Sequence, residues 1–187
     1  MLPCAAQAEK NILIFGDSLS AGYGIARDDS WANLLQQELQ RSHPQYRVVN
    51  ASISGETTSG GLRRFGRALQ EHHPAIVILE LGANDGLRGS PLSDAEKNLG
   101  RMIEQARAAG ARVVLLGMQL PPNYGPRYTR QFAAMYPALS QRYRVMLVPF
   151  MLTGITAEQF QPDNLHPSAA GQPQILHNVM QKLGALL

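Results

Sequence analysis

Residues 11–20 read Asn11-Ile12-Leu13-Ile14-Phe15-Gly16-Asp17-Ser18-Leu19-Ser20, an unbroken apolar run that ends at a glycine and a serine. Such a run reads as a strand covered on both faces, and the glycine releases the chain into a loop at the strand's carboxyl end. Four comparable runs follow: Arg47–Asn50, Ile76–Leu81, Val113–Met118 and Val145–Phe150. Between them, apolar residues recur at helical spacing: Trp31, Leu34, Leu35 and Leu39; Leu62, Phe65 and Leu69; Leu99, Met102, Ile103 and Ala106; Phe132, Met135 and Leu139. A last helix is expected over Pro173–Leu183. Strand alternating with helix predicts an α/β fold, a flavodoxin-like three-layer α/β/α sandwich on a five-stranded parallel sheet with right-handed crossovers. Spacing alone leaves the order of the strands open.

The chain has 187 residues, 44% of them hydrophobic and 17% charged, enough for one core. Residues 9–187 read as a single domain and residues 1–8 as a residual processing segment. Ala6-Gln7-Ala8 has the small-x-small form of a signal-peptidase site, although the charged and apolar regions that precede such a site are missing. A periplasmic location is therefore expected. The lone Cys4 reads as an inert tail residue. No stretch approaches the roughly 18 apolar residues of a membrane span, so no stable membrane insertion is expected. A formal charge of +3 is mild, and Arg63, Arg64 and Arg67 on one predicted helix read as a solvated face. No nucleic-acid partner is expected, since no motif or interleaved aromatics accompany those arginines. No cofactor fingerprint and no metal-ligand grouping appears. The chain is expected to act as a monomer.

Open α/β sheets place ligand sites at the carboxyl edge, which puts Ser18 in a crevice. A serine hydroxyl attacks poorly at neutral pH unless an imidazole takes its proton and a carboxylate fixes that imidazole's tautomer. Asp163-Asn164-Leu165-His166-Pro167 supplies both within one tight turn. Pro167 favours extended backbone at His166 and so holds it off the following helix. His166 reads as general base and Asp163 as its orienting partner. Gly16-Asp17-Ser18-Leu19-Ser20 lacks the second glycine of Gly-x-Ser-x-Gly, so the α/β-hydrolase elbow does not apply. Two further loops, Asn50–Thr58 and Leu81–Gly86, offer oxyanion donors in Gly55 and Asn84, with the Ser18 N–H as a third.

These blocks resemble those of the GDSL, or SGNH, hydrolase family, named for a serine, a glycine, an asparagine and a histidine. Gly16–Tyr23, Asn50–Gly55, Gly82–Leu87 and Asp163–Pro167 fit in order and spacing, and the chain is most similar to the bacterial thioesterase I group, also known as protease I and lysophospholipase. The resemblance implies Ser18 as nucleophile, Gly55 and Asn84 as oxyanion partners, and Asp163 with His166 completing a triad. It also implies that Leu120, Pro121 and Tyr124, in a proline-rich loop that reads on its own as a stiff surface segment, line an acyl chain. Gly82-Ala83-Asn84 departs from the family's usual pair of glycines by one methyl group beside the oxyanion site.

The expected activity is hydrolysis of acyl esters and thioesters, including aryl esters, acyl-CoA and lysophospholipids, with no cofactor. Two alternatives are a carbohydrate O-acetylesterase of the same family and a non-catalytic anion or nucleotide-binding module using N–H groups at Gly16–Ser18. Asp17 reads as a brace for the serine loop. Asp85 and Arg88 read as a solvated loop pair, Trp31, Met118 and Met151 as core, and His43, His72, His73 and His177 as surface or helix-end residues.

Overall fold

The computed structural model describes residues 9–187; the processing sequence Ala6-Gln7-Ala8 and Cys4 lie outside the described residues. Five strands, β1 (Lys10–Gly16), β2 (Tyr46–Asn50), β3 (Ile76–Glu80), β4 (Arg112–Leu116) and β5 (Met146–Val148), form one parallel sheet in the order β2-β1-β3-β4-β5. That is the flavodoxin-like order, in which chain direction along the sheet reverses between β1 and β3. Ligand sites form at that crevice, beyond the carboxyl ends of those two strands.

Among the described residues, seven α-helices connect and cover the strands: α1 (Ser18–Ala21), α2 (Trp31–Ser42), α3 (Thr58–His72), α4 (Ala83–Leu87), α5 (Leu92–Ala108), α6 (Pro126–Tyr143) and α7 (Gln172–Leu183). Helix α2 packs against α7, while α5 packs against both α3 and α6. Central strands β1 and β3 are buried almost throughout, as their unbroken apolar sequences require. Edge strand β2 exposes Arg47 and half-buries Val48 and Val49, and β5 is only three residues long. The apolar run at 145–150 is longer than its strand because Gly117 and Met151 close the hydrogen bonding there: Gly117 N–H donates to Val148 O (2.7 Å) and Met151 N–H to Gly117 O (3.0 Å).

Trp31 is fully buried behind Ser30, whose hydroxyl caps α2 by accepting from the Asn33 N–H (3.4 Å). Phe15 and Phe65 meet edge to face with centroids 4.8 Å apart, and this is the seam between the sheet and α3. Arg64 corrects the expectation of a solvated arginine face. Its guanidinium lies 3.9 Å over the Phe15 ring, its Nε donates to Glu56 Oε2 (2.7 Å) and its Nη1 donates to Ala51 O (2.7 Å). Only Arg63 and Arg67 of that cluster are exposed. No described helix is long and apolar enough to cross a membrane.

Candidate active site

Ser18 opens α1 directly beyond β1, so its N–H precedes the helical hydrogen-bond ladder. Asp17 caps the same turn: it is 1% exposed and its Oδ1 accepts from the Leu19 N–H (3.1 Å). The indole N–H of Trp31 donates to Leu19 O (3.2 Å) and fixes α1 from below. Gly16 is required by close approach, since a Cβ there would fall 2.5 Å from Glu80 Oε2 and 2.9 Å from Ser20 Oγ.

His166 comes from the loop between β5 and α7. Asp163 Oδ1 accepts from the N–H groups of Leu165 (2.9 Å) and His166 (3.0 Å), an Asx-type turn that leaves Oδ2 facing the ring. Asn164 takes the left-handed conformation at φ 55° that this turn demands. His166 Nδ1 lies 2.7 Å from Asp163 Oδ2 and Nε2 lies 2.8 Å from Ser18 Oγ. With a carboxylate at Nδ1, the neutral ring carries its proton there, and Nε2 accepts from the Ser18 hydroxyl. The backbone N–H of His166, above all, draws the Asp163 carboxyl down to about 2. Gln161 Nε2 donates to Tyr23 O (2.8 Å) and Pro167 O (3.2 Å), tying the loop to the serine side. The Tyr23 ring, 53% exposed, packs on the imidazole at 4.7 Å between centroids.

The other two loops bring Gly55 and Asn84 to the same cavity. Gly55 sits at φ 77°, a conformation that favours glycine, and its carbonyl accepts from Arg88 Nη2 (3.1 Å). Asn84 Nδ2 donates one hydrogen to Asp17 Oδ2 (3.1 Å) and the other to Glu56 O (3.0 Å). Ala83 is buried at 8% exposure and lines the cavity beside it. Asp85 corrects the reading of a solvated pair. It is 5% exposed, and its two oxygens accept from the Thr58 N–H (2.8 Å) and hydroxyl (2.7 Å), so it anchors the start of α3. Arg88 reaches backbone and not Asp85.

The cavity has a volume of about 420 Å³, within the range of small-molecule sites. Ser18, Gly55, Asn84 and His166 all line it, and Leu87, Met118, Leu120, Phe150, Leu152 and Phe160 supply apolar walls. Leu120 and Pro121 line it as the family resemblance implies. Tyr124 does not: its hydroxyl donates to Leu87 O (3.0 Å) and its ring stays on the surface, so it anchors a wall residue. Sequence reading missed Phe150, Leu152 and Phe160, which come to the cavity only when the segment after β5 folds back. Met118, read as core, is buried and also faces the cavity.

Residues 14–173 match the model of the GDSL-like lipase/acylhydrolase family. Esterase TesA of Pseudomonas aeruginosa is 48% identical over 182 residues, covering 96% of this chain and 90% of the relative. The Escherichia coli thioesterase 1/protease 1/lysophospholipase L1 is 39% identical over 189 residues, covering 100% of this chain and 89% of the relative. A crystal structure of TesA superposes with a TM-score of 0.93 at 47% identity, covering 95% of this chain and 100% of the other. Ser18, His166 and Asp163 in hydrogen-bonded line at the β1/β3 crevice, on this sheet order and with this match over most of the chain, lead to one assignment: the chain belongs to the GDSL-like lipase/acylhydrolase family.

Proposed function

We infer that the protein is a serine hydrolase that cleaves acyl esters and thioesters through an acyl-enzyme. The observation that carries this is the continuous hydrogen-bonded line from Ser18 Oγ through His166 to Asp163, at 2.8 and 2.7 Å, opening onto an apolar cavity. Ser18 Oγ attacks the acyl carbonyl while His166 Nε2 takes its proton and Asp163 stabilises the imidazolium that results. The N–H groups of Ser18 and Gly55 and the Asn84 amide receive the developing oxyanion. His166 then protonates the leaving alcohol or thiol. Water attacks the acyl-serine by the same route in reverse, and Ser18 is restored. Every proton in this cycle passes over His166, so the chemistry runs on the chain's own side chains.

Apolar walls of this extent suit a medium or long acyl chain and leave an acetyl group mostly unsupported. Aryl esters, acyl-CoA and lysophospholipids share that acyl half and differ in leaving group. The relatives' names, esterase and thioesterase/lysophospholipase, support the same class. A periplasmic site of action belongs to this reading on the strength of Ala6-Gln7-Ala8. The test is an initial-rate panel of p-nitrophenyl esters from acetate upward, with acyl-CoA and lysophospholipid arms and Ser18→Ala as control. Expected are kcat/KM values that rise beyond two carbons and activity that vanishes in Ser18→Ala. Highest activity on acetyl esters would favour the O-acetylesterase reading, and full activity in Ser18→Ala would remove both.

A further inference from the structure

The mechanism above gives no work to Glu80, an acid with 0% exposure at the carboxyl end of a strand otherwise made of isoleucine, valine and leucine. Its Oε2 accepts from the Asp17 N–H (3.2 Å) and the Ser20 hydroxyl (2.8 Å), while its Oε1 is buried with no partner. An isolated carboxylate in such a place costs several kcal/mol, so an uncompensated charge there is untenable. The Asp17 N–H contact brings the two acids together beneath one turn, and two like charges sharing such a site with no cation between them favour retention of a proton by one of them.

We propose that Glu80 is a positioning residue for the Asn84 amide, acting through Asp17. Asp17 receives the Leu19 N–H and the Asn84 amide and lines the cavity, whereas Glu80 is fully enclosed with one oxygen unpartnered and no cation beside it. The proton that the pair retains therefore resides on Glu80. A neutral Glu80 keeps Asp17 charged, and a charged acceptor holds an amide hydrogen more firmly than a neutral carbonyl does. Asn84 is thus gripped at Asp17 Oδ2, and the hydrogen resting on the Glu56 carbonyl is the one released to the oxyanion.

The ionisable groups around the pair are consistent with one negative charge. Tyr136 of α6 is fully buried with its hydroxyl donating to Leu81 O (3.1 Å), and Asp85 of α4 is spent on Thr58. Among the described residues, no lysine or arginine pairs with Glu80 or Asp17. Burial, with the Asp17 charge adding to it, holds the Glu80 carboxyl well above the usual carboxylate range.

The inference rests on Ser18 as nucleophile and Asn84 as oxyanion donor, and a double-mutant cycle on a p-nitrophenyl ester separates the two levels. Glu80→Met should lower kcat about 10- to 100-fold with KM within about twofold, part of the factor expected for losing one oxyanion donor. Glu80→Gln is neutral and keeps an oxygen for the Asp17 N–H and the Ser20 hydroxyl, and should recover kcat to within about threefold of the parent. In an Asn84→Ala background, Glu80→Met should cost less than about threefold, because the group it positions is gone. Equal losses in both backgrounds, or Glu80→Gln as damaged as Glu80→Met, overturn the proposal. Should Glu80→Met fail to fold, Asp17→Asn takes its place in the cycle with the same two outcomes. Activity surviving in Ser18→Ala overturns instead the mechanism beneath it.

Discussion

Asp17 and Asp163 are the two aspartates nearest the reacting groups, and the fold sends them in opposite directions. Asp17 is 1% exposed under the serine turn, where burial pushes its carboxyl up to about 6. The side chain of Asp163 is 37% exposed on the histidine loop, where the His166 backbone N–H leads the interactions that draw its carboxyl down to about 2. Residue type is the same, so environment assigns the work. The exposed acid is an ion at every working pH and suits the back of an imidazole. The buried one is an internal brace whose charge depends on a neighbour, Glu80. Reach separates the two: Asp163 Oδ2 lies 2.7 Å from His166 Nδ1, while the oxygens of Asp17 are taken by the Leu19 N–H and the Asn84 amide.

The largest effect expected from separating the two is at the ring they flank. His166→Ala should lower kcat by roughly 10⁴-fold or more, since base, acid and orientation are lost together. Asp163→Asn should follow at roughly 10²- to 10⁴-fold, with KM little changed, because the wrong tautomer is then favoured. Both are read from kcat on a medium-chain p-nitrophenyl ester. A loss under tenfold in Asp163→Asn would place Asp163 outside the relay.

A smaller and opposite pair of effects lies in stability against pH. Asp163 has a folded value below its unfolded one, so its contribution is present above about 3.8 and is lost as pH falls toward 2. Asp17 and Glu80 have folded values above their unfolded ones. Relative to acid pH they weaken the fold as pH rises, through about 6 for Asp17. The Tm of Glu80→Gln should therefore gain on the parent as pH is raised from 4.5 to 8, because glutamine never pays for retaining a proton. A Tm gap that does not change with pH would mean that Glu80 is ionised in the folded protein. The smallest effect is expected at Tyr124. Tyr124→Phe removes one surface hydrogen bond to Leu87 and should change chain-length preference by no more than about threefold, in keeping with a bond worth about 1 kcal/mol or less.

The sequence made the sheet legible because Ile12–Phe15 and Ile76–Leu79 are apolar without interruption, which suits strands buried on both faces. It did not carry strand order, which depends on where each crossover lands. The serine, glycine, asparagine and Asp-x-x-His blocks were legible as a set, each after its own strand. Burial of charge was not. Asp85 and Arg64 look like surface residues in the sequence, and become internal anchors only because Thr58, Glu56 and Phe15 arrive from other segments. Glu80 did leave a mark, a lone acid inside an apolar strand, but nothing local names Asp17 as its partner. For Tyr124 the family resemblance implied a place along the acyl chain, whereas the loop's own composition reads as a stiff surface segment, which is where its ring lies.

The most direct measurement is covalent capture of the nucleophile with a fluorophosphonate, read by intact mass and peptide mapping. One adduct on Ser18 is expected in the parent, none at that position in Ser18→Ala, and a labelling rate lowered by about 100-fold or more in His166→Ala because the hydroxyl has lost its base. A label on another residue, or a rate on Ser18 that His166→Ala leaves unchanged, would contradict a serine activated across the cleft by His166.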